Sequence, residues 1–311
     1  MTQTENEYAH QRPRVDDDID LRKLFRSIWD GKWLVGTISF AGTVIAVIVA
    51  LMLPNFYQAE ALLAPTQDSR AGHLATLSAQ YGELASLAGI NLADGSLDKT
   101  TLGLEILKSR KFISEFIKHH DILAPLMAAK SWDEDTEELK IDSGIYDVVA
   151  MKWVRAVSPP RKVVPSQQEA YEKFIEDVLS VEQDKTTGFI TIGIEHYSPI
   201  VAKQWVDWLV QDINATVMQQ DVDKAEQAIK YLQEQITATS LAGLQNIFFR
   251  LMEEQTKTVM LARVSPEYMF RTIDPAVAPE IKAGPKRSLI AFLGMILSGM
   301  ISIAIILGRK D

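Results

Sequence analysis

Two long apolar runs lie near the two ends of the chain, and a mostly polar body separates them. Trp33–Leu53 contains 21 residues without a charged side chain, and Ser288–Leu307 contains 20. As helices, both runs would be about 30 Å long, enough to cross the hydrocarbon core of a bilayer. The pattern predicts transmembrane helices at 33–53 and 288–307. Residues 54–287 would then lie together on one side of the membrane, with both termini on the other.

Charges beside the two spans predict their orientation, because cytoplasmic flanks are rich in Lys and Arg. More Lys and Arg residues lie before the first span than directly after it: Arg14, Arg22, Lys23, Arg26 and Lys32 come before it, and Arg70 is the first basic residue after it. The second span conflicts, since more basic residues precede it than follow it: Arg271, Lys282, Lys286 and Arg287 against Arg309 and Lys310. The first helix usually dominates, so we predict that both termini are cytoplasmic and that 308–311 form a short cytoplasmic tail. A cleaved signal peptide is not expected, because the first run is a full-length span and Leu51–Asn55 at its end offers no A-x-A-like site.

The N-terminal segment, residues 1–32, is predicted to be cytoplasmic and to contain one amphipathic helix. Residues 1–15 are polar and lack a periodic pattern, which is typical of disorder. After Asp16–Asp20, apolar residues recur at helical spacing on one face: Leu21, Leu24, Phe25, Ile28 and Trp29. Such a stripe can lie on the inner membrane surface or pack on a partner protein, and the pattern does not separate these alternatives.

The polar body mixes strand and helix patterns. Strands are predicted at 56–64 and 268–273, and a β-hairpin at 178–183 and 189–195 with turn residues between them. One or two helices are predicted over 102–119, broken near Ser109, and another begins after Ser166 and runs to about Asp177. The acidic residues 133–142 are interpreted as a solvated loop or helix face. Residues 67–98 show no strong periodicity.

The 66 residues that begin at Pro199 and end at Val264 contain no further proline and repeat apolar residues at helical spacing. One straight helix would be about 99 Å long, whereas 23 extended residues could return only about 76–83 Å towards the second span. The chain must therefore reverse, and Gly243 marks its weakest helical stretch. We predict a turn near 238–244 and a helical hairpin over 198–264, above an α/β base of residues 54–197 and 265–287. The expected fold class is an α+β membrane protein with a transmembrane helix on each side of this domain.

Composition and motifs argue against several functional classes. A net charge of −9 is unsuited to binding nucleic acid, and the chain has no cysteine nucleophile. The nucleotide-binding P-loop, the G-x-S-x-G elbow and the H-E-x-x-H zinc motif do not occur in the sequence. His119 and His120 would point about 100° apart on a helix, which suits a solvated helix end better than a metal site. We therefore expect neither enzymatic activity, nor a cofactor, nor a metal.

Small residues form a ridge on each predicted span. Gly42, Ala46 and Ala50 share one face of the first, and Gly294, Ser298 and Ser302 share one face of the second, with Gly299 beside them. Such ridges allow membrane helices to approach closely. The long hairpin also carries more apolar residues than two helices can cover. Both features favour a homo-oligomer in which neighbouring copies supply the missing contacts.

Several segments resemble chain length determinants of the Wzz type, which are polysaccharide co-polymerases. The resemblance runs through Asp17–Leu21, Gly31–Trp33, Leu84–Ile90, Leu104–Arg110, Thr191–Ala202, Glu254–Lys257 and Pro266–Tyr268, and is most specific at Asp274–Glu280 and Gly284–Arg287. The family signature P-x-x-P-x-x-x-x-S-P-K is matched at Pro279, Pro285 and Lys286, and its later glycine-rich part at Gly299 and Met300. Pro275 stands one place early, Gly284 replaces the serine, and Ser298 and Ser302–Ala304 replace further glycine-rich positions.

The resemblance implies a non-catalytic regulator that sets the modal length of O-antigen in the bacterial inner membrane. It implies a homo-oligomeric ring, a periplasmic main domain, a Wzy-type polymerase as partner and a lipid-linked glycan nearby. Larger relatives carry a tyrosine kinase after the second span, which we do not expect in a chain ending at Asp311. Regulation of enterobacterial common antigen or of an exopolysaccharide, and a structural role in polysaccharide export, remain alternatives. A glycosyltransferase or polymerase is disfavoured by the missing nucleotide and metal motifs.

Overall fold

The structure of this protein is a computed structural model that describes residues 32–66, 99–238 and 242–308. It divides into two compact units, one formed by residues 1–53 and 286–311 and the other by residues 54–285. The predicted amphipathic helix of residues 16–29, the segment 67–98, residues 239–241 of the predicted turn and residues 309–311 of the tail lie outside the described residues.

The described parts of the chain contain both helices and strands. The helices are α1 (Lys32–Met52), α2 (Lys99–Lys108), α3 (Arg110–His119), α4 (Leu123–Ala128), α5 (Gln167–Lys173), α6 (Pro199–Ala238), α7 (Ala242–Val264) and α8 (Arg287–Gly308). The strands are β1 (Tyr57–Pro65), β2 (Ala129–Asp133), β3 (Glu138–Ile141), β4 (Tyr146–Asp147), β5 (Lys152–Trp153), β6 (Leu179–Gln183), β7 (Ile190–His196) and β8 (Phe270–Asp274).

Four antiparallel strands form the main sheet, in the order β6-β7-β1-β8. In β1 the side chains alternate, and Tyr57, Ala59, Ala61 and Leu63 are buried. This alternation places one face of the strand on the core. The predicted hairpin and the predicted strands before and after the long helical region are therefore confirmed, with ends shifted by one or two residues.

The helices around the sheet begin where short polar side chains cap them. The Ser109 hydroxyl accepts a hydrogen bond from the Phe112 amide and separates α2 from α3, so the predicted break there is confirmed. Ser166 and Glu169 form a reciprocal capping box at the start of α5. This helix ends earlier than predicted, at Lys173, and the chain continues as a π-helix over Phe174–Val178. The Arg155 guanidinium, 2.6 Å from the Glu169 carboxylate, lowers the pKa of that carboxyl.

The long helical region consists of two antiparallel helices in contact. Arg263 of α7 pairs with Glu226 of α6 at 3.1 Å, and the Gln245 amide lies 3.4 Å from the Ile236 carbonyl oxygen. Later residues of α6 thus contact earlier residues of α7, as expected for antiparallel helices. The first part of α6 packs into the core through Trp205, Leu209 and Ile213.

A buried asparagine ties α6 to the edge strand β8. The Asn214 side-chain oxygen accepts hydrogen bonds from the amides of Met269 (2.7 Å) and Phe270 (2.8 Å). Its amide nitrogen donates to the carbonyl oxygens of Phe270 and Val210, both at 3.0 Å. One side chain therefore satisfies three backbone groups of the strand and its approach, where burial would make unpaired groups costly.

Two small hairpins depart from the sequence interpretation. The acidic segment 133–142 is not a loop or helix face throughout, because Glu138–Ile141 pairs with Ala129–Asp133 as β3 with β2. Asp133 closes this hairpin: its carboxylate accepts from the amides of Asp135 and Thr136 and lies 2.6 Å from the Lys140 ammonium. The second hairpin pairs β4 with β5 and was not predicted at all.

Buried His196 predicts a pH dependence of stability. Its Nε2 lies 3.2 Å from the Pro125 carbonyl oxygen, and Nδ1 is 3.1 Å from the Ser198 amide nitrogen, which donates to it. This pattern fixes a neutral ring, and burial lowers the pKa of His196 to about 4. The unfolded ring, with a pKa near 6.5, takes up its proton first. The full stabilising contribution of the neutral ring is therefore present above about pH 6.5. The free energy of unfolding decreases by about 3 kcal/mol as the pH falls to about 4.

Denaturant unfolding between pH 7 and 4, followed by tryptophan fluorescence with EDTA present, measures this loss. In His196→Gln the loss across that window is expected to shrink strongly, although the variant is less stable at pH 7. His119→Gln, which changes an exposed ring, serves as the control and keeps the wild-type slope. An unchanged slope in His196→Gln contradicts the assignment.

Candidate functional site

The terminal helices α1 and α8 pack against each other through small residues. A Cβ atom added to Gly42 would collide with the Ser298 side chain, so α8 approaches the α1 backbone at this position. The Ser298 hydroxyl lies 3.3 Å from the Ser39 carbonyl oxygen and 3.1 Å from that of Met295, to which it can donate. Backbone approach with a serine hydroxyl between the helices is the packing that small residues permit in lipid.

The close contact continues from Gly42 towards the C-terminal end of α1. A Cβ added to Gly294 would collide with Ala46, and Ala50 is buried. Beyond Ala50, the Arg287 guanidinium donates to the carbonyl oxygens of Ala50 (3.1 Å) and Leu53 (3.4 Å). These bonds satisfy carbonyl groups at the end of α1, where a helix leaves its last acceptors without partners.

The other small residues of α8 differ in how tightly they pack. Ser302 is fully buried and donates to the Gly299 carbonyl oxygen at 2.7 Å. A Cβ on Gly299 would meet the Ser39 hydroxyl at an ordinary 3.7 Å. The structure thus brings together all seven small residues of the predicted ridges on one helix pair: Gly42, Ala46, Ala50, Gly294, Ser298, Gly299 and Ser302. Their role in polymerase coupling stays a prediction.

Away from this contact, the two helices expose large apolar side chains. Exposed residues of α1 include Trp33, Phe40, Ile45 and Ile48, and those of α8 include Phe292, Leu293, Leu297 and Met300. Both helices are long and apolar enough to cross a membrane, over Val35–Met52 and Arg287–Ile305. In water such surfaces would be unfavourable, whereas in a bilayer they match the solvent.

The proline-rich segment follows β8. Pro275 is exposed, whereas Pro279 and Pro285 are half-buried. The segment is held near its end by Phe56, whose amide donates to the Gly284 carbonyl oxygen at 2.9 Å and whose carbonyl oxygen accepts from the Ala283 amide at 2.8 Å. In the helical unit, the Lys286 carbonyl oxygen accepts from the amides at the start of α8, and its side chain is exposed.

The helix α7 presents an apolar surface that α6 does not cover. Leu244, Ile247, Phe249, Leu251, Met260, Leu261 and Val264 are exposed, whereas Ala262 is buried. Exposed apolar patches are typical of surfaces that bind another molecule. It agrees with the expectation that two helices cannot cover all the apolar residues of the hairpin.

The interpretation of His119 and His120 as a solvated helix end is wrong for His120. The helix α3 ends at His119, and His120 leaves the helical conformation with φ −94° and ψ 3°. Its ring therefore turns inward, stacks on Trp208 with centroids 4.1 Å apart, and lies 2.9 Å from the Asp212 carboxylate. Sequence reasoning missed Trp208 and Asp212 as partners because they lie about ninety residues further along the chain.

These features define a class: a mixed helix and strand domain between two terminal helices that can cross a membrane. Residues 17–120 match the Wzz family model, described as "Chain length determinant protein". The family model covers residues 17–120, so the resemblance is confirmed for the motifs in this part of the chain. The match supports a role in regulating polysaccharide chain length.

Two solved structures are similar to the chain at low identity. A "full-length bacterial polysaccharide co-polymerase" is 12% identical, with 94% of this chain and 97% of that chain covered and a TM-score of 0.37. A fragment of WzzB, a polysaccharide co-polymerase from Salmonella Typhimurium, is 10% identical, with 74% and 100% covered and a TM-score of 0.26. Scores this low do not establish a shared fold. No curated protein matches the chain.

Proposed function

We propose that this protein regulates the modal chain length of O-antigen without catalysing a reaction itself. The observation that carries the proposal is the match of residues 17–120 to the chain length determinant family. The motif analysis supports it, because the nucleotide and metal motifs of a glycosyltransferase do not occur in the sequence. A regulator of this kind works through its shape and its contacts with a polymerase.

The protein is anchored in the bacterial inner membrane by α1 and α8, with both termini in the cytoplasm and residues 54–287 in the periplasm. Basic residues before the first span support this orientation. Apolar surfaces on α1 and α8 support the anchoring. In this orientation Lys282, Lys286 and Arg287 lie at the outer head-group level, where their cationic groups can pair with lipid phosphates.

Copies of the chain assemble into a homo-oligomeric ring around which a Wzy-type polymerase extends a lipid-linked glycan. The apolar surface of α7 supports the assembly, because a second copy would remove it from water. The outer surface and the height of the ring govern how long the polymerase stays engaged with the glycan. The small residues of α8, with Pro275, Pro279, Pro285 and Lys286, couple the ring to the polymerase.

Deletion of the gene, followed by complementation and electrophoresis of the lipopolysaccharide, tests this function. The deletion strain is expected to lose the cluster of modal lengths and to show a ladder that decays smoothly. Complementation with the full chain restores the cluster. An unchanged ladder contradicts an O-antigen role. Comparison of enterobacterial common antigen and exopolysaccharide from the same strains shows whether one of those polymers is regulated instead.

A further inference from the structure

His119, His120 and Asp212 bring three metal-binding atoms together at the junction of α3 and α6. One nitrogen of each imidazole and one carboxylate oxygen all lie within 4.8 Å of one another. His120 Nε2 is 2.9 Å and His119 Nδ1 is 3.8 Å from the same oxygen of Asp212. His119 ends α3, His120 follows it and Asp212 lies on α6, so the cluster exists only in the folded domain.

The spacing suits a tetrahedral ion. Zinc binds imidazole nitrogen and carboxylate oxygen at about 2.0–2.1 Å, which puts neighbouring ligand atoms about 3.3 Å apart. The two distances to the Asp212 oxygen lie on either side of this value. The longer one exceeds hydrogen-bond length, so the His119 ring approaches the carboxylate without bonding to it directly. The three atoms therefore surround a position that a cation could occupy.

The surroundings hold two ligands in place and leave the third accessible. The His120 ring is stacked on Trp208 and lies 5.0 Å from the Phe116 ring, so packing fixes its orientation. The side chains of His120 and Asp212 are 14% and 22% exposed, whereas that of His119 is 73% exposed. An ion could therefore enter from solvent beside His119, and water could fill a fourth position.

We propose that His119, His120 and Asp212 bind a divalent transition-metal ion, and that the ligand types favour Zn²⁺. Two imidazoles and one carboxylate are ligands that zinc prefers, whereas Mg²⁺ and Ca²⁺ prefer oxygen alone. The bound ion links the end of α3 to α6, on the N-terminal side of the part of α6 that pairs with α7. It acts as a structural clamp between the core and the helical hairpin.

Zinc titration of the full chain in detergent tests the site, after removal of any histidine tag and of bound metal by EDTA. A chromophoric chelator competes for the ion, and the visible absorption of bound Co²⁺ reports its geometry. Wild-type protein is expected to bind one ion per chain and to melt about 5 °C higher at a zinc concentration of roughly 100 Kd. His119→Ala and Asp212→Asn are each expected to bind at least tenfold more weakly.

Asp223→Asn is the matched control, because Asp223 is an exposed aspartate of the same helix outside the cluster. It is expected to bind zinc within twofold of wild type. Melting with EDTA checks that the variants fold, and His119→Ala should melt like wild type because its ring is exposed. Equal zinc affinity in wild type, His119→Ala and Asp212→Asn would overturn the proposal, as would a Co²⁺ spectrum without tetrahedral bands.

Discussion

Replacing Gly294 with leucine is expected to separate α1 from α8 and to abolish the modal length distribution. No side chain fits at this position, because even a Cβ would collide with Ala46. Overpacking of this kind costs about 1–3 kcal/mol, and helices in lipid lack a hydrophobic force that would hold them together regardless. The variant should therefore insert into the membrane while its helix pair opens.

The chain contains no cysteine, so a pair introduced at Ser39 and Gly299 reports the packing without background. A Cβ at Gly299 would lie 3.7 Å from the Ser39 hydroxyl, close enough for an oxidant to form a disulfide after small adjustments. Gly294→Leu is expected to reduce the cross-linked fraction severalfold. Gly36→Leu is the matched control, since a Cβ at Gly36 meets nothing within 4 Å.

The lipopolysaccharide of strains carrying each variant connects this packing to function. Under the proposed function, Gly294→Leu gives the smooth ladder of a deletion strain, whereas Gly36→Leu keeps the modal cluster. If Gly294→Leu opens the helix pair but keeps the cluster, the packing is irrelevant to chain length. If both variants cross-link like wild type, the contact itself is wrong.

Replacing Asn214 with leucine is expected to destabilise the domain of residues 54–285 by about 3 kcal/mol or more. The change keeps the number and branching of the side-chain heavy atoms but removes the acceptor for the amides of Met269 and Phe270 and the donor to the Phe270 carbonyl oxygen. Each buried polar group left unsatisfied costs about 1–3 kcal/mol. The edge strand β8 should consequently detach from α6 before the rest of the domain unfolds.

Denaturant unfolding of the full chain measures the overall loss, and amide hydrogen exchange of residues 269–274 measures the local one. Gln211→Leu, at an exposed position of the same helix, is the control and should change stability by less than about 0.5 kcal/mol. A stability loss below about 1 kcal/mol in Asn214→Leu, with unchanged exchange of β8, contradicts the role assigned to Asn214.

Most of the secondary structure could be predicted from local patterns in the sequence. The alternation in Tyr57–Pro65 and the cap residues Ser109 and Ser166 act on their immediate neighbours, so one short segment contains the whole signal. The acidic hairpin β2–β3 was mistaken for a loop or helix face because its pairing depends on Asp133 closing the turn and on Lys140 opposite it, not on hydrophobic alternation.

Long-range contacts between polar residues could not be predicted from these patterns. Asn214 meets β8 from 56 residues away, and Asp212 meets His120 from 92 residues away. Asn214 sits among apolar neighbours in α6, where its spacing is that of an ordinary core position. The His120 ring turns inward because α3 ends at His119. The end of a helix is the least certain part of a sequence prediction.

The N-terminal part of α6 joins the core through side chains as far as Val217. Further along the helix, Val222, Ala225 and Leu232 are buried outside that cluster. The reach of the two-helix extension is consequently free to vary during evolution without any change in the sheet. Each helical turn gained by both limbs would move the tip outward by about 5.4 Å. Small paired insertions or deletions in the two helices could thus make the protein taller or shorter without altering the sheet.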